Sequence, residues 1–165
     1  MQYVIFIRGL SGSGKSTQAR IMAQQHGMKH VEADMYFMNE SNEYVFVPAN
    51  IGKAHDWARN KLREYLNNGH SVVVSNTGIQ VWEFDSYLAE IDMSKCHVYV
   101  LELHKTGTRI DYKCVHGLDQ AGFVRQRNRW QELPQSKYEP MGQDYYRFNS
   151  QNYICEDSFL YKVIP

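Results

Sequence analysis

Long apolar runs are the first thing this sequence lacks. The first run ends at Arg8, too short for a signal-peptide core, and no stretch approaches the ~20 residues that cross a bilayer. No membrane partner is expected, and a cytoplasmic location is. An excess of one charge is missing too, since Lys+Arg and Asp+Glu each number 18. A neutral molecule does not coat a polyanion broadly, so any such partner has to be held by a local basic patch. Cysteine is scarce: Cys96, Cys114 and Cys155 are odd in number and show no C-x-x-C spacing. That excludes a disulfide framework or a zinc finger and points to free thiols in a reducing compartment. No His/Cys cluster has metal-ligand spacing, and repeats and low-complexity tracts are absent. The 165 residues are expected to form a single domain, 1–165, able to bury a core without staples.

Against this plain background one stretch stands out. Residues 9–17 read GLSGSGKST and match G-x-x-x-x-G-K-[ST], with Gly9, Gly14, Lys15 and Ser16 at the fixed positions. A short β-branched and aromatic run precedes it (3–7), and helix formers follow it (18–25), so the pattern sits in a strand–loop–helix. An ordinary glycine-rich turn is the competing reading, and the flanks argue against it. Gly9, Gly12 and Gly14 allow positive φ and close backbone approach to phosphate oxygens. The amides of Ser13, Gly14, Lys15 and Ser16 then converge at a helix start, where the dipole favours an anion. Lys15 is expected to bridge the β- and γ-phosphates of ATP, Ser16 to ligate Mg²⁺ and Thr17 to reach the α-phosphate.

Further along, strands are expected at 29–33, 70–75, 97–103 and 158–164, and helices at 51–68, 81–91 and 119–132. Residues 39–50 read as a polar loop. Strands alternating with helices predict an α/β P-loop three-layer sandwich. Its sheet is expected to hold five parallel strands in order 2-3-1-4-5, with a helical lid over about 105–133. Ligands in such sheets bind beyond the C-terminal strand ends, where the loop, Asp34 and Asn76 converge. The third strand ends Ser75-Asn76, without the Asp that many NTPases place beside the P-loop serine on Mg²⁺.

Asp34, directly after the second strand, is the candidate base that takes a proton from an acceptor hydroxyl; an Asp there also serves as a turn or helix cap. Arg125 and Arg129 are four apart on one helix face, with Arg127 elsewhere, and suit a lid that neutralises a moving phosphoryl group. A solvated basic face is the alternative. Trp57, Trp82 and Trp130 could stack bases, although Trp57 and Trp82 also sit at helical core spacing. His55 fits either an acceptor cleft or a helix surface, and His116 is assigned to the lid hinge.

The segments RGLSGSGKST (8–17), ADMYF (33–37), AHDWAR (54–59), VVVSNTGIQVWE (72–83) and HGLDQAGFVRQRNRW (116–130) together resemble the P-loop polynucleotide 5′-hydroxyl kinases. These include the phage enzymes and relatives fused to larger proteins. The resemblance implies transfer of the ATP γ-phosphate to a 5′-hydroxyl end of RNA or DNA. It places Asp34 as general base, Lys15 and Ser16 as phosphate and Mg²⁺ ligands, and Asn76 and Thr77 in the acceptor pocket. Arg129, then Arg125, align with the lid arginine. Met35 stands where members often carry a second acid, and Phe37 lies where the phage enzymes grip acceptor phosphate with a basic residue. That leaves Arg59, His55 or lid residues to hold the acceptor. A small-molecule kinase of the same fold and a non-catalytic nucleotide-binding module are the rival readings.

Overall fold

The apolar runs that alternate with amphipathic segments become a sheet covered on both faces. The computed structural model describes residues 1–103, 119–141 and 158–165. Strands β1 (Gln2–Arg8), β2 (Lys29–Val31), β3 (Val72–Ser75) and β4 (Cys96–Glu102) pair in parallel in the order β2-β3-β1-β4. The register sets Val4 beside Val72 and Ile7 beside Ser75, with Arg8 beside Glu102 on the other side of β1. The buried run Val72-Val73-Val74 needs no polar alternation, because helices cover both faces. On one face Phe6, Val72 and Val74 pack with Ala54, Ala58 and Leu62 of helix α2 (Ile51–Asn67) and with Phe84 and Tyr87 of α3 (Trp82–Leu88). On the other, Ile7 and Val73 meet Ala19 and Met22 of α1 (Lys15–His26). A fourth helix, α4 (Gln120–Asn128), is capped by Asp119, whose Oδ1 accepts the Gly122 amide at 2.7 Å.

The chain thus has the expected α/β P-loop kinase fold, with a sheet that departs from five parallel strands. Six strands are described, in order β2-β3-β1-β4-β6-β5. The expected last strand is β6 (Phe159–Val163), which runs antiparallel to β4, and β5 (Tyr138–Pro140) adds antiparallel to β6 at the edge. A strand's side-chain alternation reads the same in either direction, so its orientation is invisible in composition. Only three residues long and ending in proline, β5 suits an edge.

β2 stops at Val31, short of the expected 29–33, and the expected loop over 39–50 holds a short 3₁₀ turn at Pro48–Asn50. Ala33–Phe37 form a 3₁₀ helix, and Met38 and Tyr44 make an antiparallel bridge. Trp57 packs against the core, as its spacing suggested, whereas Trp82 is 63% exposed. Helix α3 turns Phe84 and Tyr87 inward, which leaves Trp82 outside. Of the expected lid, residues 105–118 lie outside the described residues, as do His116, Cys114 and Cys155. Cys96 is a buried free thiol. No helix among the described residues is long and apolar enough to cross a membrane.

Candidate active site

β1 ends at the sheet rim and hands the chain to the glycine-rich loop. A Cβ on Gly9 would stand 2.4 Å from Ser13 Oγ and 2.9 Å from the Leu103 carbonyl, so only glycine fits there. The Gly9 amide donates to Thr77 O at 3.1 Å, which ties the loop to the end of β3. Gly12 and Gly14 take φ of 80° and 93°. Gly14 caps α1, so the first amides of that helix have no intrahelical acceptor and form an anion-binding end. Lys15 arches back over the loop and donates from Nζ to Leu10 O at 3.0 Å. Thr17 is exposed, and its Oγ1 accepts from Arg20 at 3.4 Å.

Beneath the loop lies a carboxylate that the sequence did not single out. Glu32 follows β2 directly, and its Oε2 accepts from Ser16 Oγ at 2.8 Å and from Ser75 Oγ at 3.2 Å. Burial pushes the Glu32 carboxyl above the ordinary range, and nearby Asp34 adds to this. The Ser16 and Ser75 hydroxyls and the charge of Lys15 pull it back. His30 Nε2 lies 2.6 Å from Ser75 Oγ, and burial lowers its imidazole to about 4, so it is neutral near pH 7. Hard oxygens from Ser16 and Glu32 at the foot of a phosphate cradle suit Mg²⁺ and not a softer metal.

Asp34 sits half-buried in the 3₁₀ helix at the same rim, where Oδ1 accepts from Tyr44 OH at 3.2 Å. Asn76 fixes that segment from the side: its Oδ1 accepts the Ala33 amide at 3.0 Å, and its Nδ2 donates to Tyr87 OH at 3.0 Å. Tyr87 OH also meets His55 Nδ1 at 2.9 Å, and Arg59 hangs near the same ring at 5.9 Å. Burial pushes the Tyr87 phenol up to about 12 and lowers the His55 imidazole; both Asp34 and Arg59 act on His55 through their charges. His55, Asn76, Glu83 and Tyr87 line one small pocket. Asp34, Asn76, His55 and Arg59 therefore gather on one side of the loop. Thr77 meets the loop through its backbone carbonyl.

Helix α4 approaches from the other side. Gln126 Oε1 accepts the Ser11 amide at 3.0 Å. Arg125 and Arg129 flank it along one open concavity, and Arg129 Nη2 reaches Gln80 Oε1 at 3.3 Å. The base of α4 is tied down by Arg8, which is fully buried. Arg8 pairs with Glu102 at 3.1 Å, donates to Ile79 O and Gln131 O at 3.0 and 2.8 Å, and stacks on Trp130 at 3.9 Å. Trp130 thus packs on a buried cation. Burial lowers the Arg8 pKa, and the Glu102 charge opposes that shift.

A glycine-rich loop between a buried parallel strand and a helix, with Lys15, Ser16 and a carboxylate gathered at its foot, defines a P-loop kinase-like domain. The chain belongs to the AAA_33 family, an AAA domain, whose model matches residues 4–106. It is 27% identical over 140 residues to NEDD4-binding protein 2 of Homo sapiens, covering 79% of this chain and 8% of that protein. It is 30% identical over 133 residues to the uncharacterized protein PM0531 of Pasteurella multocida (strain Pm70), covering 72% of this chain and 71% of that protein. A structure of the Pnkp1/Rnl/Hen1 RNA repair complex matches with a TM-score of 0.55 at 15% identity, covering 82% of this chain and 41% of that one. That last likeness is one of fold.

Proposed function

We propose that this chain transfers the γ-phosphoryl group of ATP to the 5′-hydroxyl end of an RNA or DNA strand. The amides of residues 13–16 and the Lys15 ammonium hold the β- and γ-phosphates. Ser16 would hold Mg²⁺, which when bound offsets charge on those phosphates. Asp34 accepts the proton of the 5′-hydroxyl while its oxygen bonds to the γ-phosphorus and the bond to the β-bridging oxygen breaks, leaving ADP. Arg125 and Arg129 face the charge that spreads over the transferring oxygens. Asn76 and Thr77 line the acceptor side, with His55 and Arg59 behind them.

One observation carries the choice of acceptor. Asp34 is hydrogen-bonded to Tyr44, and Tyr44 stacks on Phe46 with planes 8° apart, beside Phe37 and Tyr36. Phe46 is 47% exposed, and Met38, Val45 and Val47 are exposed around it. An aromatic shelf next to the base suits a substrate with π-faces, which a strand end has and a sugar lacks. The fold likeness to a member of an RNA repair complex accords with this.

The test is γ-labelled ATP offered to a panel of 5′-hydroxyl RNA, DNA, nucleoside and sugar acceptors. Label is expected on the oligonucleotides, and unlabelled 5′-hydroxyl oligonucleotide is expected to compete it away. Label on a sugar or nucleoside that no oligonucleotide displaces would mean a small-molecule kinase. Nucleotide binding with no labelled acceptor would mean a binding module.

A further inference from the structure

We infer that Glu32 is the protein carboxylate of the divalent-cation site, supplied from the end of β2 in place of the acid that β3 lacks. The inference rests on the ATP-dependent reading above, because the cation arrives with the nucleotide. P-loop enzymes commonly pair the loop Ser/Thr with an Asp on a neighbouring strand, and the pair holds Mg²⁺. Here β3 ends in Ser75 and Asn76, neither of them an acid. Asn76 is committed to the Ala33 amide and to Tyr87 OH.

The hydroxyl of Ser75 is committed as well. It donates to Glu32 Oε2 at 3.2 Å, so toward His30 Nε2, 2.6 Å away, it acts as acceptor, with the imidazole N–H on Nε2. What β3 contributes is therefore a neutral strut, and the strut orients Glu32. The carboxylate itself accepts the Ser16 hydroxyl hydrogen bond at 2.8 Å, which leaves the Ser16 lone pairs for a metal.

The Glu32 side chain is 12% exposed, and among the described residues no Lys or Arg forms an ion pair with it. What offsets its burial is the two hydroxyls, the neutral His30 imidazole at 3.6 Å and the charge of Lys15, short of the direct ion pair that a buried carboxylate calls for. A divalent cation beside Ser16 supplies one. The neighbouring strand thus replaces the missing acid by reaching sideways across one strand spacing.

The experiment uses the full chain and titrates ATP by calorimetry, once in EDTA and once in MgCl₂, with Mn²⁺ electron paramagnetic resonance as a second readout of bound ion. For Glu32→Gln, affinity in EDTA is expected to match wild type, while the gain on adding Mg²⁺ falls by about 10- to 100-fold and the bound-Mn²⁺ signal weakens. A Glu32→Ala/Ser75→Asp double variant, which moves the acid to β3, is expected to recover the gain. A Glu32→Gln protein with the full Mg²⁺ gain would overturn the inference. So would equal losses with and without metal that the double variant does not repair. Wild type that binds ATP under neither condition would overturn the kinase reading itself, and this inference with it.

Discussion

Tyr138 is fully buried in the core, and its hydroxyl has no hydrogen-bond partner among the described residues. Burial pushes its phenol up to about 12 from the usual 10, and Tyr87 behaves alike. Between those values the unfolded chain gives up the proton while the folded chain keeps it. This contribution to stability is complete below pH 10 and is lost as pH rises through 12. Tyr138→Phe removes one of the two slopes and one unsatisfied hydroxyl. Denaturant unfolding at pH 7 is expected to show it more stable by about 1 kcal/mol, with a shallower fall on the alkaline side. A destabilised variant with an unchanged alkaline slope would mean the hydroxyl has a partner after all. Glu32 and Asp34 lie two positions apart and divide differently: one faces the loop serine, the other the aromatic shelf.

Of the elements, the 3₁₀ helix and the loop after it gain most from the structure. Phe46 stacks on Tyr44 with its ring half-exposed; on the proposed reading it meets a base of the acceptor. Phe46→Ala is expected to weaken binding of a 5′-hydroxyl oligonucleotide by about 1–3 kcal/mol while ATP affinity stays unchanged, as fluorescence titration of each ligand would show. Equal weakening of both would mark the shelf as structural. The sequence makes the phosphate loop legible because its requirements are local: glycines where φ is positive, then Lys15 and Ser16 at a helix start. Parallel β1, β3 and β4 are legible through their largely apolar runs, whereas β2, Lys29-His30-Val31, carries none. Glu32 was not, because its partners lie 16 and 43 residues away and depend on β2 lying beside β3. Tyr44 and Phe46 were hidden among Asn, Ser and Glu, whose polarity read as a loop. Trp82 had the right helical period, but α3 begins there and presents later residues inward. The direction of β6 has no local signature at all.

On the scale of the whole molecule, two halves of the site meet at Arg8. Its guanidinium joins β1 to Glu102 of β4, to the Ile79 carbonyl after β3 and to Gln131 after α4. Arg8→Ala removes a buried cation together with these three hydrogen bonds, so it is expected to cost about 3–5 kcal/mol in urea unfolding. A loss within experimental error would show that the sheet and the base of α4 hold together without it. Net neutrality, with 18 charges of each sign, leaves any strand end to be gripped by a few local groups rather than by a general field. Under the proposed transfer, the weight falls on the loop, Arg125 and Arg129, and one acid at the sheet rim. Asp34→Ala tests this most directly, by calorimetric ATP binding and γ-labelled transfer on the same preparation. ATP affinity is expected to stay at the wild-type value while transfer to a 5′-hydroxyl oligonucleotide falls by about 10²–10⁴-fold. Transfer at the wild-type rate, or loss of ATP binding in step with transfer, would contradict Asp34 as the base.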